Sequence, residues 1–160
     1  MCIRDRRDRL RDDVHVTAAD LLQAPTGSVS LAGIATNVSV SLRYLAAWVG
    51  GSGAVAVDHL MEDAATVEIS RAQLWQWITH RTRLAEGPRV TREMVDEMID
   101  EESARLLREG EWGTPEQIEA AADILRYAAL GETLPGFFTP YAYVRYLTDV
   151  QVRIGTELHD

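Results

Sequence analysis

Fold class is indicated most clearly by residues 31–53, which read LAGIATNVSVSLRYLAAWVGGSG. Within this stretch, apolar side chains recur at spacings of three and four, at Ile34, Val38, Leu42, Leu45 and Val49. This spacing places them on one buried face of a helix. The next four residues include three glycines, which lower helix propensity and permit backbone angles that are closed to other residues. We therefore predict a long helix from about Leu31 to Val49 that ends at Gly50.

Similar signals predict further helices on both sides of this one. A short helix capped by Thr17 is expected to contain Leu21 and Leu22. The others are expected from about Asp63–Thr66 to His80, from Thr91 to a point before Trp112, from Thr114-Pro115-Glu116 to Leu130, and from about Tyr141 to Leu147. The pattern predicts an all-α protein of five or six helices, with one long glycine-rich loop from Gly50 to Leu60.

The helix that begins at Thr91 has two contrasting faces. Its expected buried stripe consists of Val95, Met98, Ile99, Leu106 and Leu107. Its expected outer face consists of Asp96, Glu97, Asp100, Glu101 and Glu102. Such a run of acidic residues is usually a solvated helix surface.

Length and composition restrict the class of protein. The chain has 160 residues, of which 46% are hydrophobic and 26% charged, as in a globular domain with its own core. No run of about 18 apolar residues is present, so we expect no membrane span. The net charge of -9, with 16 basic residues that are all arginine, disfavours nucleic-acid binding through phosphates. We expect one domain over residues 14–160, after a disordered or non-native tail over residues 1–13.

Cysteine usage favours a reducing compartment. The single cysteine, Cys2, excludes an internal disulfide framework and a zinc site built from cysteines. We therefore expect a cytoplasmic protein.

The segment from Gly50 to Asp63 is the most unusual part of the chain and the best candidate for chemistry. Flexible glycines lead into an apolar, extended stretch, which ends in the adjacent carboxylates of Glu62 and Asp63 at a helix start. Asp63 is either a helix N-cap that stabilises exposed amides or a general base aimed into a cleft. Glu62 would raise its proton affinity if both side chains were buried. We expect Asp63 to be partly exposed.

Other polar residues are weaker candidates. His15, His59, His80 and His159 are scattered, so no metal site is predicted, and His59 is interpreted as a surface histidine of the loop. Arg71 either pairs with Glu68 across one helical turn or reaches Glu62 or Asp63 to orient the loop. Trp75 and Trp77 are expected to pack in the core or against another domain.

The run from His59 to Ile78, HLMEDAATVEISRAQLWQWI, resembles the C-terminal region of the A-type malate synthases. The segments Tyr44–Trp48 and Asp13–Leu22 are similar to the same family, and the resemblance extends from about Asp12 to Leu147. The Met-Glu-Asp-Ala-Ala-Thr motif with its Ile-Ser-Arg continuation is the most specific part of this resemblance.

The resemblance implies a reaction and a role for one residue. Malate synthases condense acetyl-CoA with glyoxylate, hydrolyse the malyl-CoA intermediate, and require Mg²⁺, which polarises the aldehyde. The aspartate of the Met-Glu-Asp motif is the catalytic base in the family, and it corresponds to Asp63. The substrate-binding residues of this chain are not identified by the resemblance.

The resemblance also implies a missing partner. In the family, the enolate-stabilising arginine and the acidic metal ligands lie on an upstream TIM barrel of roughly 250 residues, more than this chain contains. We therefore expect a helical C-terminal domain separated from its barrel, and inactive alone. Many family members have cysteine and proline after the glycine turn, where Ala54 and Ala56 stand here. Their loss leaves the proposed base in place but puts the conformation of the loop in doubt.

Two other functions remain open from the sequence. The chain could be a non-catalytic helical interaction module built on an inherited scaffold, or the cap of another CoA-dependent carbon–carbon lyase or synthase. The upstream coding sequence would separate these alternatives. A barrel with a suitably placed arginine and two acidic metal ligands would favour malate synthase, whereas a true start codon at Met1 would favour the module.

Overall fold

The computed structural model describes residues 12–23 and 26–148. These residues form six α-helices, a two-stranded antiparallel hairpin and a final π-helical turn. The elements are α1 (Ala18–Leu22), α2 (Leu31–Val49), β1 (Val55–Val57), β2 (Leu60–Glu62), α3 (Ala64–Thr79), α4 (Arg92–Glu109), α5 (Pro115–Ala129), α6 (Thr139–Ala142) and the π-helical turn Tyr143–Leu147. The all-α fold class is confirmed.

Helix α2 is the centre of the core and packs against α3, α4 and α5. The predicted apolar face accounts for this, since Ile34, Val38, Leu42 and Leu45 are all almost completely buried. Each such side chain contributes about 1.5–3 kcal/mol relative to an exposed one. This buried face holds α2 between its three neighbouring helices.

Helix starts follow local capping chemistry. The hydroxyl of Thr17 accepts a hydrogen bond from the Asp20 amide, and the Asp20 carboxylate accepts one from the Thr17 amide, as in a capping box. Thr114 and Gln117 form the same motif before α5, with Pro115 in its first turn. The predicted starts of both helices are confirmed. They could be predicted because each signal lies within four residues of the chain.

The long loop after α2 is more ordered than expected. Its apolar stretch forms β1, and Leu60 to Glu62, which were not expected to form a strand, pair with it as β2. The turn between the strands consists of Asp58 and His59, both with positive φ, at 48° and 68°. Two-residue hairpin turns of this kind usually carry Asn-Gly or Asp-Gly, so the sequence lacked the common signal for a hairpin.

Two expectations for α4 need correction. Leu107 is 47% exposed and does not belong to the buried stripe, whereas Val95, Ile99 and Leu106 do. The acidic face is also not wholly solvated, because Arg126 of α5 forms ion pairs with Asp96 and Asp100. These pairs link α4 to α5 along the edge of their contact.

The last helical segment begins earlier than predicted and changes type. Helix α6 starts at Thr139, with Pro140 in its first turn, and the chain continues as the π-helical turn rather than as one α-helix from Tyr141.

No helix among the described residues has the length and hydropathy needed to span a membrane. Of the expected 1–13 tail, only Asp12 and Asp13 are described; Cys2 and His159 lie outside the described residues.

Candidate functional site

Asp63 lies between the hairpin and α3, at the N-cap of the helix. Its backbone is extended, with φ -134° and ψ -174°, and its Oδ1 accepts a hydrogen bond of 2.8 Å from the Ala65 amide. The capping interpretation is therefore confirmed, and the residue is exposed, where we expected partial exposure. Its Oδ2 accepts no hydrogen bond from the part of the chain that the structure describes. One oxygen thus orients the carboxylate, and the other has no hydrogen-bond donor among the described residues.

Tyr44 ties the glycine loop to the core close to Asp63. Its ring is 1% exposed on α2, and its hydroxyl donates a hydrogen bond of 3.1 Å to the carbonyl oxygen of Gly53. Burial raises the pKa of Tyr44, and the negative charge of Asp63 raises it further. The phenol therefore stays protonated and keeps donating to Gly53 over the ordinary pH range.

Glu62 is held by the first turn of α3 rather than by Asp63. Its Oε2 accepts a hydrogen bond from the hydroxyl of Thr66, and the side chain is half-buried. Asp63 is exposed, so the two carboxylates are not buried together. The two adjacent carboxylates therefore make different contacts. Glu62 links the end of β2 to the first turn of α3, and Asp63 caps the N-terminus of α3.

Arg71 does not reach the hairpin. It pairs with Glu68, as one of the two expectations held, and it donates hydrogen bonds of 3.0 Å to the Pro135 carbonyl and 2.9 Å to the Gly136 carbonyl. Glu68 in turn accepts one from the Phe138 amide. The alternative in which Arg71 orients Glu62 or Asp63 is wrong. This pair instead anchors the loop before α6 to α3.

The described histidines lie on the surface, and the two tryptophans of α3 pack against or bond to neighbouring elements. His15, His59 and His80 are all exposed. Trp77 packs partly against the core, and the Trp75 indole donates a hydrogen bond of 3.1 Å to the Gly131 carbonyl oxygen. Within residues 12–23 and 26–148, no three His, Cys, Asp or Glu side chains form a group that could hold a metal ion. The described residues therefore do not fit a magnesium site.

Exposed apolar side chains occur in the two elements that flank Asp63. Leu60 and Met61 of β2 and Ile69 of α3 are between 62% and 74% exposed. Apolar side chains exposed to this extent next to a candidate site suit a surface that another domain or protein covers. The sequence analysis did not single out these residues, since exposed apolar side chains look like ordinary core candidates in a sequence.

A second group of residues missed by the sequence analysis fixes the hairpin turn. Nη1 of Arg43, on α2, donates to both carboxylate oxygens of Asp58, at 3.1 and 3.0 Å. Fifteen residues separate the pair, so no local spacing rule could have identified it. In the sequence, Tyr44 stood out only as part of a segment that resembles a known family. Its hydrogen bond to Gly53 spans nine residues, so a local spacing rule could not have identified this contact either.

Comparison with known proteins gives a consistent result. Residues 28–146 match the family model described as "Malate synthase, C-terminal". The chain is 43% identical over 144 residues to a malate synthase of Streptomyces clavuligerus, covering 88% of this chain and 27% of that protein. It is 41% identical over 136 residues to a malate synthase of Myxococcus xanthus (strain DK1622), covering 83% and 25%.

A plant relative shows the same relationship. A glyoxysomal malate synthase of Brassica napus is 47% identical over 103 residues, covering 62% of this chain and 18% of that protein. The chain thus spans about a quarter or less of the length of these relatives.

Proposed function

The chain belongs to the malate synthase family, whose C-terminal region it matches, and we propose that it supplies Asp63 as the general base for condensing acetyl-CoA with glyoxylate. The proposal rests on one observation above all. Asp63 of the Met-Glu-Asp motif presents a carboxylate with one fixed and one unengaged oxygen at an exposed helix start. In this reading, residues 14–160 form the C-terminal domain of the enzyme.

The proposed chemistry begins with a proton transfer. The free carboxylate oxygen of Asp63 removes a proton from the methyl group of acetyl-CoA, and the C–H electrons form the enolate of the thioester. The enolate carbon then attacks the aldehyde carbon of glyoxylate, and the aldehyde oxygen becomes a hydroxyl after protonation. Water hydrolyses the resulting malyl-CoA to malate and CoA.

A carboxylate is a weak base for a carbon acid, so its position matters more than its basicity. The Ala65 amide holds Oδ1, and the N-terminus of α3 favours a negatively charged side chain at this place. A fixed direction for the carboxylate is what a general base needs. The capping role and the proposed catalytic role therefore support each other.

The remaining parts of the site are proposed to come from a barrel domain outside this chain. The relatives are about four times longer than the matched region, which leaves ample length for one. The exposed side chains of Leu60 and Met61 on β2 and of Ile69 on α3, the elements that flank Asp63, suit a surface that another domain covers. We assign the magnesium implied by the family resemblance to that domain, and no step performed by the present chain depends on it.

We further propose a cytoplasmic location. The chain contains one cysteine, a usage that suits a reducing compartment. Some relatives are glyoxysomal, as their names state, so subcellular fractionation of the source organism is the direct test.

The proposed role of Asp63 can be tested in a complete enzyme. The full 160-residue chain replaces the matching C-terminal part of the Streptomyces clavuligerus enzyme, and CoA release is measured with both substrates. Asp63→Asn keeps a capping side chain but removes the base, so kcat should fall by about 10²–10⁴-fold. Glu97→Gln, an exposed carboxylate change on α4, is the matched control and should leave kcat unchanged.

Two results would contradict the proposal. A folded Asp63→Asn chimera that keeps its full rate would remove Asp63 from the chemistry. Malate formation by the isolated 160-residue chain would show that no further domain is needed.

A further inference from the structure

The two turn residues of the hairpin before Asp63 adopt a left-handed backbone conformation that their residue types do not favour. Asp58 and His59 both adopt positive φ, a region that L-residues enter at a cost and that glycine enters freely. Asp and His tolerate it better than most residues, but neither is the usual choice in a two-residue hairpin. Something outside the turn must therefore stabilise this conformation against alternatives.

Arg43 supplies that stabilisation from α2. Its Nη1 donates to both oxygens of Asp58, at 3.1 and 3.0 Å. The Asp58 side chain is 79% exposed, whereas that of Arg43 is 12% exposed. The pair thus joins an exposed carboxylate to a largely buried cation.

The guanidinium of Arg43 is held on its other side by an aromatic ring. Its central carbon lies 5.1 Å from the ring centroid of Trp112, within the range of a cation–π contact. Its Nε is buried and has no hydrogen-bond partner among the described residues. A buried N–H without a partner destabilises the fold, which offsets the modest contributions of an exposed ion pair and a ring contact to overall stability.

The register of the hairpin connects this pair to Asp63. Val57 pairs with Leu60 next to the turn, and Val55 pairs with Glu62 at the open end, one residue before Asp63. A slip of one residue in a short strand reverses every side chain between the two faces. The turn conformation therefore decides where β2 ends and how the carboxylate of Asp63 enters α3.

We propose that Arg43 is a positioning residue for Asp63, acting through Asp58 and the hairpin turn. The inference rests on the proposed function, because it concerns how the proposed base is aimed. The inference predicts that removal of the Arg43 guanidinium lowers kcat without lowering the melting temperature. It also predicts that kcat recovers when the turn residue is changed to one that adopts positive φ freely.

The test uses the same chimeric enzyme. Arg43→Met keeps an apolar stem against Trp112 and deletes the ion pair. We expect kcat to fall about 10-fold, because a displacement of about 1 Å can lower a rate up to about 100-fold. The KM for acetyl-CoA should change less than about 2-fold, since substrate binding is not removed. The melting temperature should be unchanged or higher.

The decisive variant adds Asp58→Gly to Arg43→Met. Glycine adopts positive φ freely, so the double variant should recover kcat to within about 2-fold of the parent. Hydrogen exchange of the 55–62 amides in the 160-residue chain should be faster in Arg43→Met and slower again in the double variant. Arg105→Met, which removes another arginine ion pair on α4, is the control and should change neither readout.

The outcomes separate this inference from the proposed function. If Asp63→Asn abolishes activity while Arg43→Met keeps the full kcat, the proposed function stands and the inference fails. If the double variant stays as impaired as Arg43→Met, Arg43 acts by some route other than the turn, and the inference also fails. If Asp63→Asn leaves activity intact, the proposed function fails, and unchanged exchange in Arg43→Met would in addition show that Arg43 does not hold the turn.

Discussion

The hydroxyl of Tyr44 donates a hydrogen bond of 3.1 Å to the carbonyl oxygen of Gly53, across the glycine-rich turn that ends α2. Because Tyr44 is buried in the core, this bond fastens the glycine-rich segment to the central helix of the described fold. The next ordered element after Gly53 is the hairpin that leads to Asp63. A core residue therefore helps to define where the site begins.

Replacing Tyr44 with phenylalanine should weaken this attachment without opening a cavity. We expect Tyr44→Phe to lower the free energy of unfolding by about 0.5–1.5 kcal/mol, the range for one intramolecular hydrogen bond. Urea denaturation of the 160-residue chain measures the change. Tyr143→Phe, at a tyrosine that is 50% exposed, is the matched control and should have no measurable effect. Equal effects of the two changes would contradict the anchoring role of Tyr44.

Alkaline pH should reveal the proximity of Tyr44 and Asp63. Burial and the charge of Asp63 raise the pKa of Tyr44 above its ordinary value of 10.0. The folded state then holds the phenolic proton more tightly than the unfolded chain does. This contribution to stability is present below pH 10.0 and is lost as the pH rises through the folded-state pKa.

Asp63→Asn should therefore reduce the alkaline loss of stability. Without the negative charge, the pKa of Tyr44 shifts less, and the free energy of unfolding falls less steeply above pH 10.0 than in the parent chain. Urea denaturation at a series of pH values measures this difference. In the Tyr44→Phe background, Asp63→Asn should no longer alter the alkaline slope, and a persistent effect would assign it to another group.

The ion pair of Glu68 and Arg71 should be far more important for stability than its spacing suggests. Arg71 is 3% exposed and holds two backbone carbonyls of the loop before α6 as well as Glu68. Breaking a buried pair leaves an uncompensated charge, so Arg71→Met should destabilise the fold by about 3–5 kcal/mol. Arg105→Met removes a more exposed pair on α4 and should cost less than about 1 kcal/mol. Thermal or urea denaturation distinguishes them, and similar losses would refute this ranking.

The sequence predicted those elements whose signals are local. The bounds of α2 follow from the apolar spacing between Ile34 and Val49 and from the glycines at its end. The start of α5 follows from a cap residue and a proline within the same turn. Likewise, the capping hydrogen bond of Asp63 involves an amide two residues away, so its geometry was within reach of sequence reasoning.

Features that depend on distant partners could not be predicted in this way. The hairpin turn is stabilised by Arg43, which lies fifteen residues before Asp58, and the turn itself lacks the usual glycine. The pairing of Glu68 with Arg71 is local, but the carbonyls of Pro135 and Gly136 that Arg71 binds lie 64 and 65 residues away. Helical periodicity also placed Leu107 in the core, although the neighbouring helices leave its side of α4 uncovered.

That difference between α2 and α4 gives the last prediction. Leu42 is completely buried on α2, so Leu42→Ala removes apolar contacts and leaves a cavity, which should lower the free energy of unfolding by about 2–5 kcal/mol. Leu107 is 47% exposed, and Leu107→Ala deletes the same atoms from a helix surface without a comparable cavity. Its effect should stay below about 1 kcal/mol. Urea denaturation of both variants measures the contrast, and a loss at Leu107 as large as that at Leu42 would show that another surface covers this side of α4 in solution.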